Sequence, residues 1–175
     1  EFLEAVVTVD NATIQVVEVG RSEAATGQTG EIWVTGPARM VGYYLAQIPT
    51  EELLPTGDLG FLDEQGYLHI TGRKKDIIIR NGINLSPKPI EDALLSISGV
   101  SAACVVGMPH PIQGEAPWAL VVSDRTAGEL FELLPGLLPK NQIPLRICVA
   151  EQLPMTASGK IDKNAVREVL KQWNP

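Results

Sequence analysis

The chain of 175 residues has little with which to hold a metal or staple a fold: two cysteines, two histidines and only 5% aromatic residues. Cys104 and Cys148 each fall in an apolar, strand-like run (residues 102–106 and 147–150). They read as small buried hydrophobes rather than a disulfide or a ligand pair. His69 and His110 are far apart, and no metal-ligand spacing emerges around them. The longest apolar runs extend only a few residues, too short to cross a bilayer as a helix. Repeats, heptads and low-complexity tracts are missing. Positive charge is scarce too. A net charge of −7, without a basic stripe or an aromatic ladder, argues against a nucleic-acid surface. No secretory leader is visible and the chain opens at Glu1 without methionine, as expected of a fragment; the expected compartment is the reducing cytoplasm.

What is present is globular: 45% hydrophobic and 20% charged residues, long enough for one or two domains with real cores. Up to about residue 71 the chain reads as short strands between turns. β-Branched or aromatic runs at 13–19 and 31–35 are bounded by Gly20, Gly27, Gly30 and Gly36. Residues 57–62 and 67–71 flank Asp63-Glu64-Gln65-Gly66, a hairpin turn. This part is expected to be all-β, a small barrel-like subdomain. Two further short strands flank Asn81-Gly82, and Ser86 with Pro87 opens a helix whose Ile90, Ala93, Leu94 and Ile97 share one face, with Gly99 ending it. A strand at 100–107, a loop through Pro109, Pro111 and Gly114, and a strand at 118–122 follow. A helical period at 126–138, broken at Pro135-Gly136, precedes a strand at 145–150. The chain closes on an amphipathic helix at 162–173, with Ala165, Val166, Val169 and Leu170 inward. The fold class is therefore α+β: residues 1–74 form the β subdomain, and residues 75–175 a compact second domain of about the commonest domain size. The charged connection at Lys74-Lys75 suits a hinge better than a tether.

Several residues stand out as chemistry. Arg73, Lys74, Lys75 and Arg80 concentrate positive charge in an acidic chain, as an anionic small ligand requires. Asp58, ending Pro55-Thr56-Gly57-Asp58, offers a carboxylate that can accept from both hydroxyls of a vicinal diol, although without context an aspartate in an ordinary turn fits better. Arg73, after Gly72 at a strand end, suits ribose or phosphate oxygens, or is a plain surface arginine. Gly82 would let a ligand approach backbone closely, but a hairpin turn needing positive φ is sufficient on its own and the better explanation. Lys160 closes a loop of glycine and small polar residues, Pro154-Met155-Thr156-Ala157-Ser158-Gly159-Lys160, that looks pliant and presents a compact cation, although taken alone such a loop is most often plain solvated surface. Trp33, Trp118, Tyr43 and Tyr44 fit packing better than ligand stacking.

The ordered set Gly30-Glu31-Ile32-Trp33-Val34-Thr35-Gly36-Pro37, Gly42-Tyr43-Tyr44, Thr56-Gly57-Asp58, Gly66-Tyr67-Leu68, Gly72-Arg73-Lys74-Lys75-Asp76, Asn81-Gly82-Ile83-Asn84, residues 87–91 and residues 154–160 resembles the adenylate-forming enzymes. That superfamily contains acyl-CoA synthetases, peptide-synthetase adenylation domains and luciferases. Each motif is weak alone; the order and spacing, covering nearly the whole chain, are specific. The resemblance implies a carboxylate and ATP giving acyl-adenylate and pyrophosphate, then transfer of the acyl group to a thiol. It implies that Asp58 and Arg73 contact the ribose of ATP or AMP, that Lys160 reaches the carboxylate and α-phosphate, and that Lys75 is a hinge. The second domain would swing about that hinge, bringing the segment around Gly82 to the pantetheine channel. Lysine at the hinge and Gly82-Ile83-Asn84-Leu85-Ser86-Pro87 look more like acyl- or aryl-CoA ligases than amino-acid adenylation domains. Two departures are Leu54, where an aromatic commonly stands, and Lys163, where an arginine often follows, which put fine nucleotide packing in doubt.

Family members extend several hundred residues further toward the N-terminus, where they carry the phosphate loop, the acyl pocket and the glutamate that holds Mg2+. The implied partners are thus a large N-terminal domain of the same protein, ATP, a carboxylic acid and coenzyme A, or the phosphopantetheine of a carrier protein. The chain by itself is expected to be inactive. A non-catalytic module keeping the fold is the contrasting reading; Asp58, Arg73 and Lys160 together argue against it.

Overall fold

The computed structural model describes residues 13–17, 24–37 and 54–173; Tyr43 and Tyr44 lie outside these. The chain divides into two compact units, Glu1–Lys75 and Asp76–Pro175.

In the first unit, β1 (Thr13–Val17), β2 (Gly30–Thr35), β3 (Leu54–Leu62) and β4 (Leu68–Arg73) form an antiparallel sheet in sequence order. β-Branched residues alternate across β1 and β2, and one face buries Val16, Ile32 and Leu68 against Ile14, Val34, Leu62 and Ile70. The β3–β4 turn is built by Asp63, whose Oδ1 accepts from the Gln65 and Tyr67 amides at 3.0 and 2.8 Å. Its Oδ2 lies 2.7 Å from His69 Nε2. These bonds, the one to His69 foremost, hold the Asp63 carboxyl below the usual range. At Gly60 a Cβ would lie 2.5 Å from the His69 carbonyl oxygen, so only glycine lets β3 bulge against β4. Among the described residues the sheet is open, with β1 and β4 at its edges, and is not closed into the expected barrel.

The second unit is a sheet covered on both faces. A single 3-10 turn, Lys74–Asp76, leads into it. β5 (Ile78–Arg80) and β6 (Ile83–Leu85) make a hairpin, followed by α1 (Pro87–Leu95). β7 (Val100–His110) and β8 (Gly114–Ser123) form a second, long hairpin. After α2 (Ala127–Leu133), β9 (Arg146–Val149) runs parallel to β8, and α3 (Lys163–Gln172) ends the described fold. Alternate residues of the central strands face opposite layers. Ala103, Val105, Ala119, Val121 and Ile147 pack with α1 and α2, whereas Cys104, Val106, Leu120 and Cys148 pack with Leu153 and with Val166 and Leu170 of α3. A strand buried on both faces needs no polar alternation, which is why 102–106 is continuously apolar. Both thiols are buried on the α3 side; desolvation pushes Cys104 up to about 12 and raises Cys148 as well, so neither is a nucleophile.

Three local expectations change. The loop expected through Pro109 and Gly114 is instead the end of the long hairpin, with Pro109 opposite Glu115 and His110 opposite Gly114. β7 is an edge strand, where a residue lacking N–H is tolerated. α1 stops at Leu95, capped by Ser96, before Gly99. Ser86 occupies its N-cap position, but its side chain makes no capping bond. Thr126, by contrast, forms a full capping box with Glu129 at the start of α2.

Candidate functional site

In the first unit the β3–β4 pairing sets Asp58 directly opposite Arg73, and Asp58 Oδ1 accepts from Arg73 Nε at 2.7 Å. Thr56 fixes this end of β3: its hydroxyl donates to the Ile32 carbonyl at 2.8 Å and accepts from the Asp58 amide at 3.0 Å. Lys74 Nζ donates to Glu31 Oε2 at 2.8 Å. Thr56, Gly57, Arg73, Lys74 and Lys75 line an open cavity of about 360 Å3. Asp58 uses one carboxylate oxygen on Arg73, and the arginine side chain stays 56% exposed, so both groups remain within reach of an incoming diol or anion.

The expected cationic patch divides. Arg73, Lys74 and Lys75 share that cavity, whereas Arg80 is a structural clamp in the second unit: its guanidinium donates to Gln113 Oε1, the Asn141 carbonyl and the Ile143 carbonyl at 2.9–3.0 Å. The clamp steadies the β5–β6 turn, whose Asn81 and Gly82 both have positive φ (51° and 76°), the geometry of a two-residue hairpin turn. Asn81 N–H donates to the Gln113 carbonyl at 2.8 Å. A Cβ at Gly82 would meet nothing within 4 Å, so backbone there faces open space. Beside it, Arg80, Asn81, Ile83, Leu85, Lys140 and Asn141 line a cavity of about 310 Å3.

Lys160 is exposed at the end of a loop that is less pliant than its composition suggests. Met155 pairs with Ile161 as an isolated antiparallel bridge, the Thr156 amide donates to the Lys160 carbonyl at 2.7 Å, and the Lys160 amide donates to Thr156 Oγ1 at 3.1 Å. The Asp162 amide donates to the Pro154 carbonyl at 2.9 Å, and its carboxylate then caps α3 through the Asn164 and Ala165 amides. Thr156 is thus the organiser of a closed miniature hairpin that presents Lys160.

The sequence reading missed a charged cluster next to this loop. Lys163 Nζ donates to Asp76 Oδ2 at 2.9 Å, so the residue read as a departure in nucleotide packing is part of an ion pair within the second unit. Glu91 of α1 accepts from the Val105 amide at 2.9 Å. Burial raises its carboxyl above the ordinary range, against the pull of the Val105 N–H and Lys163. Nothing in the helical period marks Glu91 as partly buried, because β7 and α3 supply its surroundings. Trp118 packs in the α3-side core under the Arg146 guanidinium, 4.6 Å from its ring centre, and not in a site. Among the described residues no group of three His, Cys, Asp or Glu side chains is arranged for a metal ion, and no helix is long and apolar enough to cross a membrane.

A family model, the AMP-binding enzyme C-terminal domain, matches residues 89–160. The 2-succinylbenzoate–CoA ligase of Bacillus mycoides is 39% identical over 150 residues, which are 82% of this chain and 31% of that protein. The ATP-bound structure of MatB from Rhodopseudomonas palustris is similar over 93% of this chain and 34% of its own, at 33% identity and a TM-score of 0.85. The o-succinylbenzoate CoA synthetase MenE from Bacillus subtilis, in complex with the acyl-adenylate intermediate, covers 95% of this chain and 35% of its own, at 32% identity and a TM-score of 0.83. A structure of the same synthetase in complex with ATP and a magnesium ion gives a TM-score of 0.80. The chain spans about a third of the length of the relatives it matches.

Proposed function

Since the chain belongs to the adenylate-forming enzymes and carries their AMP-binding C-terminal domain, we propose that it is the C-terminal part of an ATP-dependent acyl-CoA synthetase. The first unit is then the last subdomain of the large adenylating domain, and the second unit the mobile C-terminal domain. The observation that carries the reading is the Asp58–Arg73 pair at 2.7 Å beside an open cavity, set by strand register rather than by a flexible loop.

In the first half-reaction a carboxylate oxygen of the substrate attacks the α-phosphorus of ATP and pyrophosphate leaves. Asp58 accepts from the ribose hydroxyls and Arg73 donates to the ribose. Lys160 supplies a preplaced cation to the negative charge that develops between carboxylate and α-phosphate. In the second half-reaction the thiol of coenzyme A attacks the acyl carbon and AMP leaves. The domain rotates about Lys75 between the two, withdrawing Lys160 and bringing the Gly82 turn to the thiol's path. The exposed turn and its neighbouring cavity suit a long, thin pantetheine arm. Mg2+ would neutralise phosphate charge, held by a glutamate that the family carries in its large N-terminal domain.

Half-reaction kinetics test this. In the complete ligase, Lys160→Ala should lower ATP–pyrophosphate exchange roughly 10²–10³-fold while sparing thioester formation from supplied acyl-adenylate. Gly82→Leu should show the reverse bias. Equal loss of both half-reactions in Lys160→Ala overturns the domain rotation, and exchange activity in the isolated chain would overturn the dependence on a large domain.

A further inference from the structure

Lysine is an unexpected residue at the first position of a helix, because the helix macrodipole there repels a cation. Lys163 opens α3 all the same, and its side chain reaches Asp76, 87 residues earlier in the chain. Its compensation is local. Asp76 carries a side chain only 15% exposed, the lysine is 29% exposed, and the carboxylate of Glu91 interacts electrostatically with both. A pair this withdrawn from solvent is screened far less than a surface one.

The position of the pair in the chain gives it a consequence. Asp76 directly follows Lys75. Lys163 directly follows Asp162, the cap of α3, and the bonds from Asp162 to Pro154 and from Thr156 to Lys160 close the loop that carries Lys160. An unbroken series of rigid links therefore runs from the Lys160 backbone through the α3 N-terminus to the residue beside Lys75.

We infer that Lys163 is a positioning residue: by pairing with Asp76 beside Glu91 it locks the Lys160 loop to the exit of the hinge, so that Lys160 turns with Asp76 as one body. The inference rests on the assignment of Lys160 to adenylation and of Lys75 to the hinge. Lys163 itself touches no reacting atom. Its removal leaves the charges of Asp76 and Glu91 to repel each other without the cation that both feel, and frees the loop to drift. A displacement of about 1 Å at a reacting group is enough for a rate loss on the order of a hundredfold.

The test uses the complete ligase. Lys163→Met should lower kcat for ATP–pyrophosphate exchange roughly ten- to hundredfold, with KM for ATP changed by no more than about twofold and thioester formation from supplied acyl-adenylate retained. Lys163→Arg, which keeps the charge, should restore most of the rate. Amide hydrogen exchange at Thr156, Lys160 and Asp162 should quicken in Lys163→Met, while the β7–β8 hairpin stays protected. Should Lys163→Met not fold, Asp76→Asn carries the same test, since the amide keeps an acceptor for Lys163 and removes the charge. Wild-type exchange rates and loop protection in these variants, alongside a crippled Lys160→Ala, overturn the inference and leave the proposed function standing. Unimpaired adenylation in Lys160→Ala overturns both.

Discussion

Asp58 and Arg73 pair at 2.7 Å in the first unit, and Asp76 and Lys163 at 2.9 Å in the second, but their surroundings differ. The first pair joins register partners on adjacent strands and leaves the arginine 56% exposed. The second joins residues at opposite ends of its unit and leaves the lysine 29% exposed. An exposed pair is worth little to folding, because water competes with each partner. That weakness suits the ligand-binding role proposed for the pair, in which a ligand must compete as well. A pair withdrawn from water exchanges poorly, and breaking it strands a charge. Similar chemistry thus gives a replaceable contact in one unit and a fixed strut in the other.

The comparison is broken most forcefully at the strut. Lys163→Met should destabilise the second unit by about 1–2 kcal/mol in denaturant unfolding, between the limits for exposed and buried pairs. A loss as small as that at an exposed pair would erase the distinction between the two.

How much of this was legible beforehand follows from sequence distance. Asp58 and Arg73 are joined by a meander whose Asp63–Gly66 turn is plain in the sequence, so their adjacency is a local matter. Asn81-Gly82 announced its own hairpin through its demand for positive φ. Lys163 and Asp76 carry no such signal, because their meeting depends on the whole sheet that places α3 over β7 and β8. The same holds for Glu91, held by an amide of β7, and for the β7–β8 hairpin, where Pro109 and Gly114 advertised a loop that edge-strand geometry made unnecessary. The motif draws attention to Lys160, yet the stiffness of its loop lies in backbone bonds that composition conceals.

A middle-sized effect sharpens the strut's electrostatics. The native Glu91 carboxyl binds its proton more tightly than in the unfolded chain, so its favourable contribution is complete below the ordinary value of about 4.5 and is lost as pH rises through the raised native value. Glu91→Gln should remove that part of the slope: in unfolding titrations the variant should gain on the wild type as pH rises above about 4.5. Parallel profiles would mean that Glu91 is solvated after all.

The smallest expected effect belongs to the replaceable pair. Asp58→Asn should change unfolding free energy by no more than about 0.5 kcal/mol, as for other exposed pairs. On the proposed function, the same change in the complete ligase should weaken ATP binding, read as a raised KM. A large stability loss with unchanged KM would make Asp58–Arg73 a strut too.

The β5–β6 turn bears on handedness. At Gly82 an added Cβ has room on every side, so what excludes other residues is the sign of φ and not their bulk. The position discriminates by chirality: a D-residue would sit there at ease, while its mirror image, atom for atom the same size, would be strained.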